Sequence, residues 1–147
     1  MYALTKWPPL ALSLTLLFAA APGYSCTVTT SAIAFGSYDP LNSQAVDTVG
    51  DIEISCEQET GYNLSLSQGT SMSYDPRTLI SNTDTLAYNL YTGATHQIIW
   101  GDGAEGTVTI SGTADPTAVE HIYGLIPGGQ NAPAGIYQDT LILTIEY

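Results

Sequence analysis

Residues 135–147 read Gly-Ile-Tyr-Gln-Asp-Thr-Leu-Ile-Leu-Thr-Ile-Glu-Tyr. Leu141, Leu143, Ile145 and Tyr147 alternate with Ile142, Thr144 and Glu146. A period of two carried by β-branched and aromatic residues predicts a strand with one buried face, over residues 141–147. Gly135 predicts a turn just ahead of it. The sequence stops inside this strand. Chain ends are ordinarily frayed and polar unless something ties them down. An apolar strand in that position therefore raises the question of what pairs with it.

The same pattern recurs upstream. Residues 26–30 alternate, and Ile33 and Phe35 continue that strand until Gly36. Residues 37–49 read as a polar loop that turns at Asp39-Pro40. Residues 51–57 predict a second strand with Ile52, Ile54 and Cys56 on one face, and Tyr62, Leu64 and Leu66 mark a third. Residues 69–85 read as a long polar connection anchored at Leu79-Ile80. Leu86, Tyr88 and Leu90 alternate again, residues 107–111 place Val108 and Ile110 inward, and residues 119–126 predict one more strand. No segment sustains the apolar spacing of a helix. About seven or eight short strands between glycine-rich turns predict an all-β chain, an immunoglobulin-like β-sandwich.

The chain holds 147 residues, enough for one domain. Lys6 followed by the apolar run 10–21 and the small residues Ala21, Gly23 and Ser25 reads as a secretory signal peptide. The run is too short and too broken at Pro8-Pro9 to read as a membrane span. The expected organisation is a signal peptide over 1–25, cleaved after Gly23 or Ser25, and one domain over 26–147 with no membrane insertion. Cys26 and Cys56 both remain. Two cysteines in an exported chain point to one disulfide, whereas a metal or redox pair needs closer spacing or histidine partners. Without Lys6, Arg77 is the one basic residue against 14 acidic ones. Nucleic acid is excluded as a partner, because phosphate binding needs clustered Lys and Arg.

Little in the chain suggests catalysis. His96 and His121 lie in no metal-binding spacing. The acid pairs Glu57/Glu59 and Asp102/Glu105 resemble glycosidase carboxylates only in type. The glycine-rich run 101–106 lacks the alternating ligands of a calcium loop and reads as a hairpin loop. Asn63-Leu64-Ser65 matches a glycosylation sequon but sits mid-strand. Arg77 suits a loop anchor that bridges carboxylates or carbonyls. Tyr62, Tyr88, Tyr123 and Tyr137 are expected at the core or its rim. Tyr38, Tyr74 and Trp100 are the aromatics available for a sugar platform. The expectation is a non-enzymatic chain with no cofactor and no metal.

Taken in order, several stretches carry a family resemblance. They are Cys26-Thr27-Val28, Phe35-Gly36-Ser37-Tyr38, residues 50–56 (GDIEISC), residues 62–69 (YNLSLSQG), Arg77-Thr78-Leu79, residues 86–91 (LAYNLY), Trp100-Gly101-Asp102-Gly103 and residues 134–140 (AGIYQDT). The ordered set resembles the spore coat protein U domain family, which includes subunits of archaic (Csu-type) chaperone–usher pili. The resemblance implies an immunoglobulin-like domain lacking its final strand, exported to the periplasm and assembled into a surface pilus. It implies a Cys26–Cys56 disulfide. It implies three partners: a periplasmic chaperone that lends a strand, an outer-membrane usher, and neighbouring subunits whose N-terminal extensions replace that strand. Leu141, Leu143, Ile145 and Tyr147 would line the acceptor groove, with the carboxylate of Tyr147 docking on the chaperone. Residues 22–25 span only ~13 Å when extended at ~3.3 Å each, too short to donate a strand. The expectation is a subunit that accepts but does not donate, at a fibre end, most plausibly the tip. The alternative is a self-contained secreted coat protein or carbohydrate-binding module.

Overall fold

The computed structural model describes residue 23 and residues 25–147. The signal peptide expected over 1–25 lies almost wholly outside the described residues. Eight strands form two sheets: β1 (Cys26–Thr30), β2 (Val46–Cys56), β3 (Thr60–Leu66), β4 (Arg77–Ser81), β5 (Asp84–Tyr91), β6 (Ile110–Ala114), β7 (Thr117–Ile126) and β8 (Leu143–Glu146). The larger sheet has the order β1-β2-β7-β5-β4 and the smaller β6-β3-β8, with every pairing antiparallel. This is an immunoglobulin-like sandwich, as the alternation predicts. The helical content described is one 3₁₀ turn, Gly69–Ser71.

Period-two patterning builds the core. Ile52, Ile54 and Cys56 of β2, Tyr62, Leu64 and Leu66 of β3, Leu86, Tyr88 and Leu90 of β5, and Ile122 and Ile126 of β7 are all buried. Each fully buried aliphatic side chain contributes about 1.5–3 kcal/mol. Cys26 and Cys56 stand directly opposite one another on β1 and β2 and form a disulfide. Trp100 joins the layers. Its ring is fully buried, its Nε1 donates to Leu64 O of the smaller sheet at 3.2 Å, and its backbone N donates to Leu90 O of the larger at 2.9 Å.

Five expectations are corrected. First, β1 ends at Thr30 instead of running to Phe35. Ser31 N still donates to Asp51 O at 3.0 Å, but Asp51 N donates to the Ser31 hydroxyl at 2.8 Å instead of to a backbone carbonyl, and the ladder goes no further. Second, β2 begins at Val46, inside the expected loop, because Val46 and Val49 pair with Ile126 and Tyr123 of β7. Third, the expected connection 69–85 contains β4, which turns into β5 at Asn82-Thr83 with Asn82 in the left-handed region at φ 53°. Fourth, the last strand covers Leu143–Glu146 and not 141–147. Fifth, Val108 is 38% exposed, and Tyr123 alternates with the buried Ile122 and Gly124 and lies on the outer face of its sheet.

One side chain extends a sheet. Gln130 Oε1 accepts from Ala87 N at 2.8 Å and Gln130 Nε2 donates to Ala87 O at 2.9 Å. The amide thus replaces a ladder partner on β5 past the end of β7, and it fixes the loop after β7 against the sheet.

Candidate functional site

The smaller sheet does not cover all of the larger one. Over the uncovered part lies a groove of about 1090 Å³. Its floor is apolar: Leu79 of β4, Leu86, Tyr88 and Leu90 of β5, and Ile122 and Ile126 of β7. One margin is the stretch 30–38 that continues from β1. The other is 132–143, which crosses from the edge of β4 to the edge of β3.

The two margins differ in how they are held. Along the first, Ile33 and Phe35 turn inward onto the core, and the Phe35 ring meets Tyr88 edge-on at 5.8 Å between centroids. Gly124 makes room for it, because a Cβ there would lie 2.8 Å from Phe35. Beyond Ser31 this margin makes no ladder. The second margin exchanges one pair of backbone bonds with β4, Ile80 N to Gln138 O at 2.8 Å and Gln138 N to Ile80 O at 3.1 Å. It then becomes β8, which pairs with β3 on one side only. The margins meet near Pro127, where Tyr38 Oη donates to Pro127 O at 3.2 Å and accepts from Gln130 N at 2.7 Å.

Asp139 is the one carboxylate in the groove lining. Its Oδ1 accepts from Thr70 N at 2.9 Å, from Thr140 N at 2.8 Å and from the Thr70 hydroxyl, and its Oδ2 accepts from Tyr88 Oη at 2.7 Å. Burial by itself would raise the Asp139 carboxyl. The hydrogen bonds from Thr70, Tyr88 and Thr140 outweigh it and hold the group below the usual carboxylate range. Burial first, and the Asp139 carboxylate second, push the Tyr88 phenol far above its ordinary value.

Arg77 lies beside the groove floor, fully buried. Nε and Nη2 donate to Ser67 O at 3.1 and 2.9 Å, Nη2 also donates to Trp100 O at 2.7 Å, and Nη1 donates to Asn89 Oδ1 at 2.8 Å. The Tyr74 ring covers the guanidinium at 5.0 Å. Burial pushes the guanidinium down from its usual value, and Tyr88, Tyr74 and Asp139 partly offset this. The anchor role read from the sequence is met by carbonyls and an amide oxygen, with no carboxylate in hydrogen-bond contact. Among the described residues Arg77 is the only lysine or arginine, so their exposed surface carries neither.

The residues singled out from the sequence divide. Leu141 and Leu143 line the groove. Ile145 packs against the core opposite Leu64, outside the lining, and Tyr147 is 59% exposed. The margin 30–38 and Asp139 escaped the sequence reading. The first hides because its alternation at Ile33 and Phe35 mimics an ordinary strand, the second because one carboxylate in an acidic chain carries no signal of its own. Trp100 and Tyr74 are buried, so with Tyr38 they form no exposed sugar platform. His121 Nδ1 pairs with Asp51 Oδ1 across β7 and β2 at 2.6 Å on the exposed face, and His96 stacks edge-on with Tyr91. Within the run 101–106, Asp102 Oδ1 accepts from Ala104 N at 2.9 Å, which closes a loop turn. Asn63 accepts from Ser111 Oγ on the neighbouring strand.

The residues thus build an all-β sandwich with an apolar groove between two weakly paired margins. The family profile of the Spore Coat Protein U domain matches residues 12–144, and the chain belongs to that family. It is similar to Protein U of Myxococcus xanthus, 31% identical over 142 residues covering 85% of this chain and 79% of that protein. Its fold is similar to a crystal structure of the CsuC–CsuE chaperone–tip adhesion subunit pre-assembly complex from archaic chaperone–usher Csu pili of Acinetobacter baumannii. The TM-score is 0.62 at 22% identity, covering 84% of this chain. This chain spans 40% of the length of that one.

Proposed function

We propose that this chain is a structural, non-enzymatic subunit of a chaperone–usher surface fibre, completed by an extended strand supplied by a partner. The observation that carries the reading is the groove. Its floor is a row of aliphatic and aromatic side chains, and the outer edge of β8 has no ladder partner among the described residues. An inserted strand with apolar residues at alternate positions would cover the floor and pair along that edge. Such an unpaired strand edge is an aggregation hazard unless it is filled. Family membership and the likeness to a chaperone-bound tip adhesin support a periplasmic chaperone and neighbouring subunits as the strand donors. An outer-membrane usher belongs to the same reading, as does export to the periplasm and then to the cell surface.

Within this proposal Leu141 and Leu143 face the incoming strand. Ile145 holds β8 on the core, and Tyr147 lies exposed just past it, where a chaperone can reach it. Position at a fibre end applies if residues 22–25 are all that precedes Cys26 in the exported chain, and N-terminal sequencing of the exported protein tests it. The central test is expression in an oxidising compartment. Alone, the chain is expected to aggregate or misassemble, and co-expression with the cognate chaperone is expected to yield a soluble one-to-one complex. Deleting residues 143–147 is expected to abolish capture. A stable monomer that binds no strand, or normal capture of the truncated chain, overturns the proposal.

A further inference from the structure

The outer face of the larger sheet points away from the groove. On it, Tyr123 of β7 stands directly opposite Val49 of β2 on one side and Tyr91 of β5 on the other. Directly opposed residues of antiparallel strands share a face, so the three side chains form one row across the sheet. Neighbouring strands lie about 4.8 Å apart, which sets the spacing of the row. The His96 ring closes one end, edge-on to Tyr91 at 5.2 Å between centroids. The His121 ring stands beside the row, edge-on to Tyr123 at 6.4 Å. Val49 is 58% exposed, and both tyrosines are half-buried. Outward positions of a sandwich are normally polar. Here two phenol rings and an aliphatic side chain meet the solvent together.

Negative charge flanks the row. Asp47 and Asp51 point outward on either side of Val49, and both are exposed. Among the described residues no lysine or arginine lies on the surface. Anionic chains are therefore repelled from this face and cationic ones are drawn to it. A second copy of this domain brings no exposed lysine or arginine and is repelled too. A lysine-rich polypeptide supplies the charge but no flat face for the rings. A β-linked amino-sugar chain supplies both, and its residue repeat is close to the strand spacing. Its pyranose C–H faces can lie on Tyr123 and Tyr91, and its ammonium groups can meet Asp47, Asp51 and the electron-rich ring faces. We propose that the row Val49–Tyr123–Tyr91 is a binding site for an amino-sugar polysaccharide that lies across the strands. The site is on the far side of the sheet from the groove, so it does not depend on what fills the groove.

The test is isothermal titration of the exported protein, in the soluble form that expression yields, with a β-linked glucosamine oligomer. At about 0.15 M salt, charges more than about 8 Å away are largely screened, so remote acids contribute little. The oligomer is expected to bind, and free glucosamine far more weakly. Tyr123→Thr and Tyr91→Thr are each expected to weaken binding several-fold, the scale of a cation over a partly exposed ring. Asp51→Asn is expected to do the same. Val49→Lys puts a competing ammonium in the row and is expected to abolish binding. Val49 is exposed, so that variant serves if the tyrosine variants do not fold. Glu57→Gln combined with Glu59→Gln removes two charges from the far end of β2 and is expected to change affinity by less than about twofold. An equal loss in that control reduces the effect to net charge and overturns the site. Oligolysine binding as tightly as the glycan, and untouched by the tyrosine changes, makes the face a polypeptide contact and overturns the glycan. Absence of oligomer binding, or full affinity in Val49→Lys, overturns the proposal outright.

Discussion

Replacing Arg77 by methionine keeps the bulk of the side chain and removes every donor it presents. Three acceptors are affected. Trp100 O is buried and loses its bond of 2.7 Å, and Ser67 O loses two donors at once. Asn89 Oδ1 loses Nη1 but keeps Leu90 N at 3.0 Å. A buried acceptor left without a donor costs about 1–3 kcal/mol. Against this stands the removal of a desolvated charge with no carboxylate in hydrogen-bond contact, a change that is neutral or stabilising in some proteins. Here the lost bonds should win, because the guanidinium fork ties Ser67, Asn89 and Trp100 to β4 from three separate segments. The expected loss is about 2–4 kcal/mol. At about 4 °C per kcal/mol for a domain of this size, the midpoint of thermal unfolding should fall by about 8–16 °C. Arg77→Lys should recover less than half, since a lysine ammonium cannot reproduce the planar fork. Thermal unfolding followed by circular dichroism, with a groove-filling strand present throughout, reads the result. A methionine variant as stable as wild type, or more stable, would refute the reasoning and show that charge desolvation dominates at this site.

Other outcomes follow from the same contacts. Arg77 is the one trypsin site in the described chain and is fully buried, so cleavage after it should require unfolding of β4. Its rate should track the open population and slow when the groove is filled. Changing both Cys26 and Cys56 to serine opens a loop of 30 residues and should cost about 3–4 kcal/mol in denaturant titration. Tyr62 is raised to about 12 by burial and by its bond to Glu120, so its contribution is intact below pH 10 and is lost as pH rises from 10 towards 12. Tyr62→Phe should flatten that part of the stability profile, and tyrosinate absorbance should show one late-titrating ring fewer. Asp139 has the opposite sign. Its carboxyl is depressed, so its contribution is present above the ordinary carboxylate range and is lost as pH falls through the lowered value. Asp139→Asn should blunt that acid limb, with Arg77 and Tyr88 as the other titratable groups facing the site.

What was legible in the sequence is what periodicity encodes. Ile52, Ile54 and Cys56, or Leu86, Tyr88 and Leu90, announce their strands because one face is buried and the other is wet. β4 was not legible, because Thr78, Leu79 and Ile80 are all half-buried at a sheet edge and show no alternation. The start of β2 hid behind Asp47, which is polar because it faces outward, and Thr48, which faces inward but spends its hydroxyl on Ala34 O at 3.0 Å. The groove was legible only at its β8 side. Leu141 and Leu143 stand out as apolar residues leading into the last strand, whereas the opposite margin is defined by the absence of a ladder after Ser31. Sequence patterns report what pairs and what is buried. They do not report a place where pairing stops.

The burial of Arg77 has a consequence for many copies at once. The described surface bears carboxylates and no lysine or arginine to answer them. Wherever such subunits are concentrated, in a fibre bundle or a coat, each brings its own cloud of mobile cations. The osmotic pressure of those counterions would keep neighbouring copies apart and the layer between them hydrated. At about 0.1 M salt the repulsion reaches only about 10 Å, so a dense array should swell on dilution and contract in brine.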